Sequence, residues 1–235
     1  MEKIDIQKIY EETKKHFKKA YESLNMRKAF NEEYTAISDI IPGYNACDLE
    51  FGSFDKDNFA VLFVDMRNST VRAKKIGAEK TFLTMHAYIP ALLMVVKHYE
   101  GEVIDIMGDG IMVFWGGKKL NITKAEAVKR AGLCGRDILK VRVDVINRIL
   151  LENKIEWEID LGVGVAYGDV IVTKIGINEF YDVKAFGDCV NLASKYSDNC
   201  NEVKVSKQVK NLWPTGKNGR ISFKQNGDGY ILYSK

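Results

Sequence analysis

Six consecutive apolar residues, Phe59-Ala-Val-Leu-Phe-Val64, run directly into Asp65. The run is far shorter than the roughly 20 residues of a membrane span, and its lack of polar alternation marks a central strand buried on both faces. The chain must therefore fold around that strand, with cover on each side. Its 235 residues, 46% of them hydrophobic, can bury such a core without disulfides or a structural metal. Lys and Arg number 35 against 32 Asp and Glu, a net charge of +3, which is too even for a nucleic-acid coat protein or a disordered tail. The opening Met1-Glu-Lys-Ile-Asp5 has neither a secretory apolar core nor the Arg-rich look of a transit peptide, so the cytoplasm is the expected compartment. Cys47, Cys134, Cys189 and Cys200 form no CxxC pair and read as buried thiols in a reducing compartment.

Ahead of the central strand, Ile6, Ile9, Tyr10, Phe17, Tyr21 and Leu24 recur at helical spacing among Lys and Glu. They predict an amphipathic leader helix from Ile4 to about Phe30, with a lid or a dimer arm as its expected role. The expected division is a leader over 1–45 and a catalytic domain over 46–235. Helices are predicted over 67–77, 79–99 and 122–152. A hairpin over 101–115 turns at Gly108-Asp109. Strands follow at 155–166, 169–175 and 181–186, then a helix over 188–198 and strand pieces at 202–206, 221–225 and 229–233. The order predicts one α+β domain with helices packed on a mostly antiparallel sheet.

Asp65 stands where the central strand leaves the core, and Asp109 at the tip of a hairpin able to pair beside it. Carboxylates on neighbouring strand ends form a cradle for magnesium or manganese, which share such ligands with substrate phosphates. The segment after Asp65, Met66-Arg-Asn-Ser-Thr70, enters a helix whose N–H groups and dipole favour a triphosphate. Each piece alone also describes a helix cap or a turn. A second constellation is Phe186-Gly-Asp-Cys-Val-Asn191-Leu-Ala-Ser-Lys195. On a helix starting near Asp188 it projects Asn191 and Lys195 from one face and turns Val190 and Ala193 inward.

Taken together, three segments resemble the class III nucleotidyl cyclases, in that family's order: Phe63-Val-Asp65 through Thr70, Ile106-Met-Gly-Asp109 through Phe114, and Gly162-Val-Gly-Val-Ala-Tyr-Gly168 through the Asn191 segment. The resemblance covers roughly 58–235. It implies a ferredoxin-like βαββαβ core and two active sites shared between the subunits of a head-to-tail homodimer. In that scheme Asp65, Asp109 and the Met66 carbonyl hold two ions, Mn2+ or Mg2+, and Asn68, Ser69, Thr70 and Lys224 serve the phosphates. Asn191 of the other subunit orients the ribose, and Lys195 stabilises charge on the α-phosphate. One ion activates the ribose 3′-hydroxyl, the other holds the β- and γ-phosphates, and pyrophosphate leaves in line. No protein base is required, which suits a chain whose His16, His86 and His98 all lie on helical patterns.

This chain departs from the family in several places. Lys195 stands where most members have Arg, which keeps the charge and loses the bidentate fork. Asn68-Ser69-Thr70 replaces Gly-Phe-Thr, which is expected to alter the phosphate loop slightly, and of the usual Lys-rich terminal turn only Lys224 remains. The two base-reading positions hold Asp105 and Lys184, the reverse of the adenylate pattern. Asp105 would accept from a ring N–H and Lys184 donate to a carbonyl, which complements the imide edge of uracil or guanine. Polarity does not separate UTP from GTP, so the expectation of UTP rests on architecture. With no sensor or membrane module, the chain resembles the compact pyrimidine cyclases of bacterial antiphage (Pycsar) systems, whose cyclic UMP or cyclic CMP activates a separate effector. Guanylate, adenylate or cytidylate cyclase, and a degenerate nucleotide-binding or dimerisation domain, are the alternatives. Neither nucleic acid nor membrane is an expected partner.

Overall fold

Strand β1 (Phe54–Met66) is the spine of the fold. The computed structural model describes residues 3–25, 41–44, 48–118, 122–216 and 219–235. Along β1, Ala60, Leu62 and Val64 enter one core while Phe59, Val61 and Phe63 enter another. Pleating sends successive side chains to opposite faces, so an uninterrupted apolar run requires cover on both. The larger core lies under α1 (Ile6–Asn25), α2 (Ser69–His98) and α3 (Lys124–Val141).

Strands β2 (Glu102–Met107) and β3 (Gly110–Gly116) form the expected hairpin. Gly108 takes φ 63 at its turn, a left-handed conformation that favours glycine. Strand β3 pairs antiparallel with β1, placing Val61 opposite Phe114, and β4 (Leu161–Ile177) flanks the other side with Ala166 opposite Val61. The succession β1, α2, β2, β3, α3, β4 is thus a βαββαβ core in an α+β fold. The C-terminal half of β4 pairs with β5 (Phe180–Phe186). Beyond β4 come β6 (Val203–Val205), β8 (Gly229–Ser234) and, at the edge, β7 (Ile221–Asn226). Only the β4–β6 pairing is parallel among the described strands.

The two helices expected over 67–77 and 79–99 are both present within α2, which breaks between them at Gly77 (φ 81, ψ 170). Several other expectations are corrected. The strands expected at 155–166 and 169–175 are one strand, β4, which starts only at Leu161. Ile155 and Ile159 are buried in the loop before it, and their apolar character imitates a strand. Helix α6 (Lys207–Leu212), capped by Ser206 accepting from the Val209 N–H at 3.3 Å, is too short to show a helical period. A π-helical turn, Arg142–Asn147, joins α3 to α4 (Arg148–Glu152) within the expected long helix. Cys134 and Cys189 are buried and free, whereas Cys200 is exposed, against expectation, and Cys47 lies outside the described residues.

Helix α1 packs into the helical layer against α2. Ile9, Tyr10, Phe17 and Ala20 of α1 are buried, and the Tyr10 hydroxyl donates to Glu152 at 2.6 Å. Tyr21 and Leu24 remain exposed. The expected end of this helix near Phe30 lies outside the described residues. Among the described residues, no helix is long and apolar enough to cross a membrane.

Candidate active site

At the end of β1, the alternation that buries Phe63 on the smaller-core face puts Asp65 on that same face, opposite Gly162 of β4. The β2–β3 turn closes beside it: a methyl group built on Gly110 would stand 3.5 Å from Asp65 Oδ1. Asp109, at the turn, has a buried Oδ2 with no hydrogen-bond partner. The Asp65 carboxyl is raised above the usual carboxylate range, first by burial and then by the charge of Asp109, against the opposing pull of Arg67. Arg67 pairs with Asp65 and reaches Asp198 at 3.5 Å. Nearby, the wholly buried Tyr88 hydroxyl also lacks a partner and is pushed well above its ordinary pKa by burial and by both carboxylates.

Two carboxylates that repel one another, one with an orphaned buried oxygen, make a site short of positive charge. A divalent cation fits that deficit. Among the described residues no cluster of three or more His, Cys, Asp or Glu could hold a metal. Such an ion would therefore complete its shell from backbone oxygen and substrate phosphate.

Helix α2 starts beside the carboxylates. Asn68, before its first residue, takes φ 55, ψ 28 and makes no side-chain cap. Asn is among the few non-glycine residues that tolerate this left-handed geometry. Met66, Ser69, Thr70, Gly108 and Asp109 help to wall a cavity of about 370 Å³.

The second constellation is built differently. Along β4, Gly162, Gly164, Ala166 and Gly168 alternate with Val163, Val165 and Tyr167. The glycine face is bare because α5 (Asp188–Tyr196) lies directly on it: a methyl on Gly164 would stand 1.9 Å from the Ala193 carbonyl oxygen, and one on Gly162 would stand 1.8 Å from that of Ser197. Cys189 and Ala193 face the sheet, Val190 is half-buried, and Asn191 and Lys195 are exposed. The alternating glycines were the sequence signal for this docking.

The remaining candidates are spread across the sheet. Asp105 lies opposite Met112, next to a bulge between Val103 and Asp105. Lys184 lies opposite Thr173 and pairs with Asp182 at 2.6 Å. Strands β3, β1 and β4 intervene between these two positions, and Lys224 is exposed on β7 at the far edge. One chain therefore gathers Asp65, Met66, Ser69, Thr70 and Asp109, leaves Asn191 and Lys195 on a solvent-facing helix surface, and keeps Lys224 remote. Sequence reasoning missed Arg67, whose position two residues after Asp65 is the only signal for its ion pair.

Residues 53–231 match the family described as the adenylate and guanylate cyclase catalytic domain. A uridylate cyclase of Gulbenkiania mobilis is 31% identical over 167 residues, covering 67% of this chain and 62% of that protein. A cytidylate cyclase of Staphylococcus aureus is 24% identical over 61% of this chain and 34% of its own length. The chain thus spans less than two thirds of these relatives. The adenylyl cyclase CyaB of P. aeruginosa superposes with a TM-score of 0.66 at 19% identity, covering 77% of this chain and 95% of that one. At that identity the likeness concerns the fold.

Proposed function

The chain belongs to the adenylate and guanylate cyclase catalytic domain family, and on that premise we propose that it converts UTP to 3′,5′-cyclic UMP and pyrophosphate. The observation that carries the reading is the carboxylate pair, Asp65 with Asp109 and its orphaned oxygen, beside a cavity entered by the uncapped start of α2. Asp65, Asp109 and the Met66 carbonyl would hold two Mn2+ or Mg2+ ions. Bound there, the ions would lower the pKa of the ribose 3′-hydroxyl and neutralise the triphosphate. Ser69, Thr70 and the backbone that Asn68 shapes would position the terminal phosphates. Arg67 would move its pairing from Asp65 toward Asp198 when that carboxylate takes an ion.

Asn191 and Lys195 face away from the sheet that bears the carboxylates. This separation supports a head-to-tail homodimer in which one copy provides the carboxylates and its partner provides Asn191 for the ribose, Lys195 for the α-phosphate and Lys224 for the terminal phosphates. The base would be read by Asp105 accepting from the uracil N3–H and Lys184 donating to a carbonyl, with Asp182 holding the Lys184 ammonium in place. The similarity to uridylate and cytidylate cyclases supports a pyrimidine substrate. By the same resemblance the product would act as a second messenger in bacterial antiphage defence, read by a separate effector in the cytoplasm. Residues 46–235 would form the catalytic unit and 1–45 its leader.

Incubating the purified chain with each of the four ribonucleoside triphosphates and Mn2+, followed by mass analysis, tests the reading directly. Cyclic UMP as the main product is expected. A different cyclic nucleotide would overturn the base assignment, and no cyclic product from any of the four would overturn the enzyme.

A further inference from the structure

We propose that Arg72 is the built-in counter-charge for the substrate's terminal phosphates, reached through the cavity beside Asp109. The proposal rests on the nucleotidyl cyclase reading of this site. Arg72 lies in the first turns of α2 and is only 3% exposed. Its Nε and Nη2 donate to the Trp157 carbonyl at 3.3 and 2.9 Å, and its Nη1 donates to Thr84 Oγ1 at 2.9 Å. Both partners are neutral. No ion pair with a carboxylate is made by Arg72 among the described residues, and burial pulls its guanidinium down to about 10 with no charged neighbour opposing.

A buried cation without an anion is among the most expensive things a core can hold. Tying the Trp157 loop to α2 does not require that expense, because a neutral amide donor would serve a carbonyl equally well. A permanent charge at this position is explained by an anion that arrives from outside. The route is the cavity of about 370 Å³, which Arg72 helps to wall together with Ser69, Thr70, Thr84, Gly108 and Asp109. Hydroxyl groups, an uncapped helix start and a guanidinium with N–H groups beyond those three bonds suit phosphate oxygens. Asp109 on the same wall would repel a bare anion, so the ligand that fits is a polyphosphate accompanied by a divalent cation.

The test uses the full chain and inorganic tripolyphosphate with Mg2+, titrated by calorimetry. Wild-type protein should bind saturably, Arg72→Gln should bind at least about tenfold more weakly, and Arg72→Lys, which keeps the charge, should lose about fivefold or less. A role confined to tethering the loop predicts the opposite grouping: both variants would lose thermal stability, and neither would lose binding selectively. Should Arg72→Gln fail to fold, the Arg72 Nε–H resonance of the wild-type chain provides a second reading. It should shift when magnesium tripolyphosphate saturates the protein and stay in place with Mg2+ alone. Wild-type affinity in folded Arg72→Gln, no saturable binding by the wild type, or an unmoved resonance at saturation would each overturn the proposal. The probe has neither base nor ribose and is not turned over. Arg72-dependent binding by a chain that cyclises no nucleotide would therefore overturn only the cyclase reading.

Discussion

The carboxylate end of β1 and the outer face of α5 answer opposite physical demands. Around Asp65 and Asp109 the fold concentrates negative charge, buries part of it and leaves a carboxylate oxygen and the Tyr88 hydroxyl unsatisfied. Around α5 nothing is strained in that way: Asn191 and Lys195 are solvated, and the helix is fixed by a backbone-to-backbone fit onto glycines. The first region carries unsatisfied polar groups, which the proposed cation would relieve, whereas the second has its groups solvated and would be completed by a partner's surface. Two such half-sites, pointing different ways from one sheet, make sense if each is completed by another copy's opposite half.

The largest expected effect comes from breaking the strained half. Asp65→Ala or Asp109→Ala should abolish turnover, to a few per cent of wild type or less, because on the proposed mechanism each would remove a ligand shared by both ions. The metal-free fold should survive. Since the charge of Asp109 disfavours that of Asp65, Asp109→Asn should raise the melting temperature of the metal-free protein. Mn2+, expected to stabilise the wild type, should then leave the variant nearly unchanged. Calorimetric melting with and without Mn2+, beside product assays, checks both. A metal-free Asp109→Asn chain that melts below wild type would contradict the charge-repulsion account.

The docked half should break in stability before it breaks in chemistry. Gly164→Ala places a methyl 1.9 Å from the Ala193 carbonyl oxygen, and relief requires moving α5 or β4. Overpacking of this kind typically costs about 1 to 3 kcal/mol. Denaturant unfolding should show at least that loss, with turnover falling because Asn191 and Lys195 are carried out of place. Unchanged stability would mean that α5 is not seated on the glycine face.

Much of this division was readable in the chain itself. The apolar run before Asp65, the Gly108-Asp109 turn and the helix from Asp188 each combine a strong hydrophobic or turn signal with short-range geometry, and each stands where the sequence predicts. Gly168 misled the strand prediction because glycine is the commonest turn residue. Here it lies within β4, where a methyl would stand 3.1 Å from the Cys189 Cβ, and the chain runs straight through. Arg72 was silent because a lone Arg among helical Lys and Ala residues reads as a solvated face. Its burial depends on Trp157 and Thr84, which no local period connects to it. The Asp182 partner of Lys184 was equally hidden, since alternate residues of any strand share a face and only the fold decides which of them pair.

A change in selectivity rather than a loss of the fold is expected from exchanging the base-reading pair. Asp105→Lys with Lys184→Asp would set a donor against the uracil N3–H and an acceptor against a carbonyl, at about 1 to 3 kcal/mol for each mismatched group. The ratio of UTP to ATP turnover should fall at least tenfold. An unchanged ratio would move base selection to other residues, with the exposed Phe51, just ahead of β1, and Phe54, its first residue, as the first to examine.

The central claim is that each site is divided between two copies, and mixing tests it most directly. Asp65→Ala lacks the strained half and Asn191→Ala lacks the solvated one, so each alone should be inactive. After co-refolding, or after subunit exchange verified with two affinity tags, the heterodimer should recover one intact site and a measurable fraction of wild-type turnover. Exchange demonstrated by the tags with turnover no higher than that of the separate variants would contradict the shared-site account.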